Sequence, residues 1–296
     1  MDMVVQVNSF PNTGETIIGN TMMVTPGGKG CNQCVGAARL KADCEMIGVV
    51  GNDAHGKAFL QILDEEHIHH PYVEMKKGVM TGNSQIQVNK AGDNKIIVIP
   101  GANYAFDETC LANVKRAVMD CKLVMLQMEL PLEALKQLIL LCEEAQKPIL
   151  LNPAPAVPLE PAYLSKIAYL TPNETELSIL SNHKVETKED MIEAIDCLHE
   201  MGANHIIATL GASGCVVSDC NGKHFLAGYH VQAIDTVAAG DCFNAALAKG
   251  IIEGRTLLES AAYANAAAAI AVTRHGAIAS MPYIHEVDNF IKQEVV

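Results

Sequence analysis

Leu123 to Asn152 reads LVMLQMELPLEALKQLILLCEEAQKPILLN, and this stretch decides the fold class. Leu123 to Gln127 is an apolar run of strand length. From Leu132 to Ala145 the apolar residues Leu135, Leu138, Ile139 and Cys142 recur at the spacing of one buried helix face. Pro148 to Asn152 is again short and apolar, as in a strand covered on both faces. Strand, helix and strand in that order form a βαβ unit with parallel strands. Outward from it, Glu45 to Val50, Ile167 to Thr171 and Ile206 to Leu210 read as further strands, and a helix follows Gly51-Asn52-Asp53 through Leu63. The pattern predicts an α/β sheet covered by helices. Met3 to Val24 and Gly82 to Ile99 break it: they are rich in Val, Ile, Thr, Asn and Gln, hold turns such as Ala91-Gly92-Asp93, and show no helical period. They are expected to be β-hairpins forming a lid that excludes water from a site beneath. With no Pro-, Gly- or Ser-rich linker, a single domain over residues 1–296 is expected, with lid segments around 3–24 and 82–99.

The chain has 296 residues, 49% hydrophobic and 19% charged, enough for a substantial core. Its formal charge is 21 − 34 = −13, so no overall positive field exists to collect nucleic acid or anionic lipid. Aromatic residues are 4% with no Trp, whereas Ala261-Ala262 and Ala266 to Ala269 suit close helix packing. No apolar run of about 18 residues and no leader pattern is present, so a soluble, cytoplasmic protein is expected, with neither nucleic acid nor membrane as partner. Ten Cys, spread from Cys31 to Cys242, read as thiols of an intracellular protein. Cys31 and Cys34 form a C-x-x-C without a second pair or a nearby His, which favours packing over zinc or redox chemistry. His67, His69 and His70, beside Glu65 and Glu66 and ahead of Pro71, read as a solvated turn, with metal binding the lesser alternative.

Walker-type, dinucleotide-binding, zinc-protease and nucleophile-elbow motifs are all absent. Asp235-Thr236-Val237-Ala238-Ala239-Gly240-Asp241 instead leads into a helix with Phe243, Leu247 and Ile251 along one side. Small residues there let backbone N–H groups approach a ligand, and the helix N-terminus concentrates positive dipole, which builds an anion hole. Asp241 is either a general base or an acid that merely suits a helix start. Thr25 to Gln33 is a second Gly-rich turn; Asn32 in it offers a donor and an acceptor to hydroxyls, unless the segment is an ordinary strand-to-helix turn. Thr171 to Glu176 is either capping chemistry or an acidic group that positions hydrated Mg²⁺.

Gly27-Gly28-Lys29-Gly30-Cys31-Asn32-Gln33 and Asp235 to Asp241 together resemble the ribokinase-type carbohydrate kinase family. The likeness runs nearly end to end, through Met128-Glu129, Asn152 to Ala156, Thr171 to Glu176, Thr209 to Gly214 and Ala266 to Gly276. It implies a three-layer sandwich with a mainly parallel central sheet and a small β lid, and ATP-dependent phosphorylation of the D-ribose 5-hydroxyl. The alternatives are a kinase for deoxyribose, a ketohexose or a nucleoside such as adenosine, or a catalytically weak sugar-binding protein. The resemblance makes Asp241 the base, with the amides of Ala238, Ala239, Gly240 and Asp241 stabilising the transferring phosphoryl group. It assigns the sugar to Asp2, Gly28, Lys29, Gly30, Cys31, Asn32, Glu129 and Asp241. The nucleotide falls to Asn173, Thr209, Leu210, Gly211, Ala212, Ser213, Gly214, Gly240, Asp241 and Asn265. Mg²⁺ would be held through water by Glu176, and K⁺ by Asp235, Val237, Ala271, Arg274, Gly276 and Ser280, mostly through carbonyl oxygens. Sugar and ATP are the implied partners, and exposed lid edges suggest a homodimer. Cys31, Cys34 and Cys242 depart from the small or hydroxyl residues more usual in the family. The family opens with a central strand ending in Asn-x-Asp, of which Met1-Asp2 supplies only the Asp. The first central strand is therefore expected to be missing, and residues added upstream are expected to raise stability and ribose affinity.

Overall fold

The computed structural model describes residues 1–294; positions 295 and 296 of the expected domain lie outside the described residues. In chain order the elements are β1 (Asp2–Gln6), β2 (Thr21–Thr25), α1 (Lys29–Arg39), β3 (Glu45–Gly51), α2 (Ala54–Glu65), β4 (His69–Lys76), β5 (Asn83–Val88), β6 (Asn94–Ile99) and α3 (Glu108–Ala117). Then follow β7 (Val124–Gln127), α4 (Leu132–Glu144), β8 (Ile149–Asn152), α5 (Pro161–Leu164), β9 (Tyr169–Leu170), α6 (Glu174–Ser181), α7 (Lys188–Glu200) and β10 (His205–Thr209). The chain continues with β11 (Gly214–Asp219), β12 (Gly222–Ala227), α8 (Ala239–Ile252), α9 (Leu257–Ala271) and α10 (Ile284–Glu294).

The central sheet runs β12-β11-β10-β9-β8-β7. Strands β7 to β10 are parallel, and β11 and β12 add antiparallel pairs at one edge. Successive strand residues point to opposite faces, and that alternation separates two cores. Ile149, Leu151, Ile206, Ala208 and Val216 pack toward Leu135, Ile139, Leu177, Ile195 and Leu198, the helices of one layer. Leu150, Ile207, Cys215 and Val217 pack toward Phe243, Leu247, Ala264 and Ala267 of the other. Two helical layers with a sheet between them make the three-layer α/β sandwich. In the second layer a Cβ on Gly250 would lie 2.6 Å from the Ser260 Oγ, so α8 and α9 approach closely, as their small residues predict.

β3 and β4 form a separate parallel pair, and among the described residues no strand joins β3 to β7. Helix α1 packs against both and spans the break. The first strand of the chain lies elsewhere: β1 sits inside the lid sheet, ordered β2-β1-β5-β6, parallel to β5 and antiparallel to β2. On the lid's outer strands Met22, Met23 and Val24, and Ile96, Ile97 and Val98, are exposed in succession. Consecutive residues face opposite sides of a sheet, so both faces of these strands are open.

The histidine stretch differs from its expected reading as a solvated turn. His67, with φ 56°, ends α2, but His69 and His70 already belong to β4. The missing N–H of Pro71 is accommodated where the register shifts between Glu45 and Ile47, on the free-edged two-stranded pair. His70 pairs with Asp64 at 2.9 Å, and among the described residues these histidines belong to no group of three possible metal ligands.

Candidate active site

The turn from β2 into α1 is shaped by what its glycines leave out. A Cβ on Gly27 would fall 2.0 Å from an Asp2 carboxylate oxygen, so this position must be bare for β1 to deliver Asp2. Gly28 has φ 96°, left-handed backbone that glycine adopts without a Cβ clash. The turn aims the Lys29 N–H at Glu129, donating to its Oε2 at 2.9 Å just beyond β7. One helical turn on, Gly36 lets α1 touch α8: a Cβ there would come within 2.9 Å of the Ala245 Cβ. That contact brings Asn32 and Gln33 to Asp241.

Asp241 lies in the first turn of α8 and is 6% exposed. Asn32 Nδ2 donates to its Oδ2 at 2.8 Å, and Gln33 Nε2 to its Oδ1 at 3.0 Å. The Asn32 Oδ1 is buried without a partner, leaving an acceptor for a ligand hydroxyl. Burial pushes the Asp241 carboxyl above the usual range; the Lys29 ammonium and the Asn32 and Gln33 amides oppose it, and Asp2 adds to the rise. Glu129 is likewise pushed up, first by burial, with Lys29 and its N–H opposing and Asp241 and Asp2 reinforcing. Asp2, Glu129 and Asp241 thus lie close enough to act on one another's charge, with the Lys29 ammonium opposing them, an acceptor-rich environment suited to a neutral polyol.

Ala238 precedes α8 in left-handed conformation, φ 59°, and no side chain caps the helix. The N–H of Cys242 already bonds back to the Ala238 carbonyl, while the space a Gly240 side chain would fill is open. Amides at an uncapped helix start facing open space are chemically suited to an anion.

Beyond it, the strand ends of β8, β9 and β10 present Asn152, Thr171 and Thr209, the carboxyl edge where open α/β sheets bind ligands. Asn173 caps α6 and bridges to Thr209. Leu210 leads into the short turn Gly211 to Ser213, with Ala212 at its centre and open space at Gly211; a Cβ on Gly214 would strike the Leu226 carbonyl at 2.1 Å. Asn265 on α9 reaches the Ala227 carbonyl at 3.4 Å. Glu176 forms the capping box with Asn173, its Oε2 accepting the Asn173 N–H at 2.9 Å, so the capping chemistry is present whatever else the residue does.

Asp235 knits the loop before the anion site to the one after α9: its Oδ1 accepts from the Val237 N–H at 3.0 Å and its Oδ2 from the Gly276 N–H at 2.9 Å. The Arg274 N–H bonds the Ala271 carbonyl, while its guanidinium turns away to Glu286 at 2.5 Å. The Ser280 hydroxyl serves its own turn, donating to the Ala277 carbonyl at 2.8 Å.

The family model described as pfkB family carbohydrate kinase matches residues 1–284. The chain belongs to that family. It is 35% identical over 291 residues to the ribokinase of Haemophilus influenzae, covering 98% of this chain and 95% of that protein. The ribokinase of Schizosaccharomyces pombe is 36% identical over 297 residues, covering 97% and 93%. Among solved structures, that of Arabidopsis thaliana ribokinase complexed with ribose and ATP superposes with a TM-score of 0.92 at 32% identity, covering 98% of this chain and 95% of that one.

In this pfkB-family kinase the cysteines are all free. Burial pushes Cys31 and Cys242 up to about 12, so neither is a ready nucleophile. Cys34 interacts with Cys44, across the helix-to-strand connection, as well as with Cys31. Residue types alone gave no role to Gln33, Gln127, Asn152 or Asn244, yet these form the polar interior of the site. Gln33 Nε2 also donates to Asn152 Oδ1 at 3.1 Å, Gln127 Nε2 donates to Gln33 Oε1 at 2.6 Å, and Thr171 Oγ1 donates to Asn244 Oδ1 at 2.6 Å. The signal that could have found two of them is an amide ending an apolar strand, as in LVMLQ and ILLN.

Proposed function

We propose that the chain transfers the γ-phosphoryl group of ATP to the 5-hydroxyl of D-ribose, giving ribose 5-phosphate and ADP. The observation that carries this reading is a buried carboxylate, Asp241, held through both oxygens directly behind an uncapped helix start. Asp241 takes the hydroxyl proton as the oxygen attacks the γ-phosphorus, and the amides of Gly240 and Asp241 stabilise charge on the transferring group, the Ala239 N–H already donating to the Thr236 carbonyl at 3.3 Å. Asp2, Glu129, Asn32 and the backbone of Gly28 to Cys31 hold the sugar, the orphaned Asn32 Oδ1 accepting from one hydroxyl. Asn173, Thr209 to Gly214 and Asn265 take the nucleotide.

The donor sets fit the two cations. Glu176 has one carboxylate oxygen left beyond its capping bond, suited to a water-mediated Mg²⁺, which supplies charge neutralisation on the phosphates. Carbonyl and carboxylate oxygens of the joined loops at Asp235, Val237, Ala271, Arg274 and Gly276 suit K⁺, whose charge would fix the loop next to the anion site. The exposed lid strands support pairing of two copies, and ten free thiols accord with a cytoplasmic enzyme. A coupled assay of ADP release across ribose, 2-deoxyribose, fructose and adenosine tests the reading. Ribose should give the highest kcat/KM; a better substrate among the others would displace it.

A further inference from the structure

The orientation of the buried amides around Asp241 is fixed by elimination. An ionised carboxylate only accepts, so Gln33 must turn its Nε2 toward Asp241 Oδ1. Its Oε1 then needs a donor, which is Gln127 Nε2 at 2.6 Å. The Gln127 Oε1 in turn lies where a Cβ on Gly30 would come within 3.2 Å, so Gly30 keeps room for it. Gln33 is 1% exposed and Asn152, its second acceptor, 7%. This side of Asp241 faces the interior. The other oxygen, Oδ2, faces Asn32, whose own Oδ1 awaits a partner.

We propose that Gln33, locked by Gln127, is the positioning residue of the phosphoryl transfer: it anchors Asp241 through Oδ1 and leaves Oδ2 as the oxygen that receives the substrate proton. The inference rests on Asp241 being the base. In the step, the sugar O–H bond breaks with its proton passing to Oδ2, the freed electron pair forms the O–P bond, and the bond from γ-phosphorus to the bridging oxygen breaks toward ADP. Asp241 is also faced by Lys29 and Cys31 from α1, Asp2 from β1, Glu129 beyond β7, Glu176 on α6 and its neighbour Cys242. None of these is altered by a change at position 33 or 127, so a shift in the acid limb on substitution reports the lost amide.

The test is the pH dependence of kcat for the full chain and for Gln33→Leu, Gln33→Met, Gln127→Leu and Asp241→Asn, with ribose binding by calorimetry. Gln33→Leu and Gln33→Met should lower kcat roughly tenfold to a hundredfold, as expected for losing one hydrogen bond to a charged group. Their acid limb should move to higher pH, because losing a donor to the carboxylate favours its protonated form. Ribose affinity should stay within about threefold, since the Gln33 amide is engaged by Asp241, Asn152 and Gln127 and is not among the groups proposed to hold the sugar. Gln127→Leu should shift the limb in the same direction by less, its loss freeing Gln33 to turn. A lowered kcat with an unmoved limb in the folded variants, or an unchanged kcat, overturns the proposal. If Gln33→Leu does not fold, Gln127→Leu and Gln33→Met decide on the same criteria. Substantial turnover by Asp241→Asn would overturn the base assignment itself; an inactive Asp241→Asn beside unshifted Gln33 variants overturns only the positioning role.

Discussion

In the proposed reaction Asp241 is the base, and its burial gives a signed prediction. A base must be ionised, and burial raises its carboxyl. Activity should therefore fall on acidification above the ordinary aspartate range near 3.9. A kcat profile flat down to pH 4 would contradict it. Asp241→Asn should abolish turnover while ribose binding, read by calorimetry, largely survives, because proton removal belongs to the transition state. At Gly27 the proposed sugar site depends on an absent side chain. Gly27→Ala would place a Cβ 2.0 Å from Asp2 Oδ2 and force that carboxylate away. KM for ribose should rise roughly tenfold, the scale of one charged hydrogen bond, with kcat far less affected; equal KM values would show that Asp2 does not hold sugar.

Among the elements, the crossing of α1 and α8 assembles the site. Gly36→Val would drive a side chain into Ala245 and Met281. Overpacking of this kind costs about 1–3 kcal/mol, measured by denaturant unfolding, and should lower activity by moving Asn32 and Gln33 relative to Asp241. The lid is tied to the sandwich by Asp53 at the start of α2. Its Oδ1 accepts from Gly56 N–H and Thr81 Oγ1, and its Oδ2 from Thr81 N–H. Burial raises its carboxyl, but these donors outweigh that and hold it at about 2. A depressed folded value stabilises above the unfolded one near 3.9 and is lost as pH falls through about 2. Protection of the Gly51 and Thr81 amides, corrected for intrinsic exchange, should drop across that window; constant protection would show that Asp53 does not clamp the lid. Near the anion site, K⁺ should raise activity relative to a large organic cation at equal ionic strength, because the loop joined by Asp235 leads into Ala238.

For the whole molecule, the lid leaves apolar strands open on both faces, and no helix among the described residues is long and apolar enough to cross a membrane. Ile97 is 65% exposed. If two copies pair through the lid, Ile97→Lys should shift sedimentation from dimer to monomer without unfolding the sandwich; an unchanged mass would place any dimer elsewhere. The break between β3 and β7, spanned by α1, leaves each strand with an unpaired edge among the described residues, which makes α1 packing carry continuity that strand pairing supplies in an unbroken sheet.

The local pattern of residues determined much by itself. LVMLQ, EMIGVV and PILLN announce strands because a strand buried on both faces needs nearly continuous apolar residues, and Leu132 to Ala145 announces a helix through its one apolar face. Strand β4 escaped that reading because a two-stranded pair with a free edge tolerates His, Glu and Pro. The chemistry was partly legible too: small residues before Asp241 suit an anion at a helix start, although the residues alone left Asp241 open between a base and a helix-start acid. Only the tertiary structure decided which oxygen of Asp241 faces inward, because Gln33, Gln127 and Asn152 come from α1, β7 and β8 and meet through packing between layers. The same holds for Asp2, which the fold carries on β1 to a glycine in the β2–α1 turn; no periodicity along a chain encodes a contact between elements, and hydrogen bonds form only where packing brings donor and acceptor together.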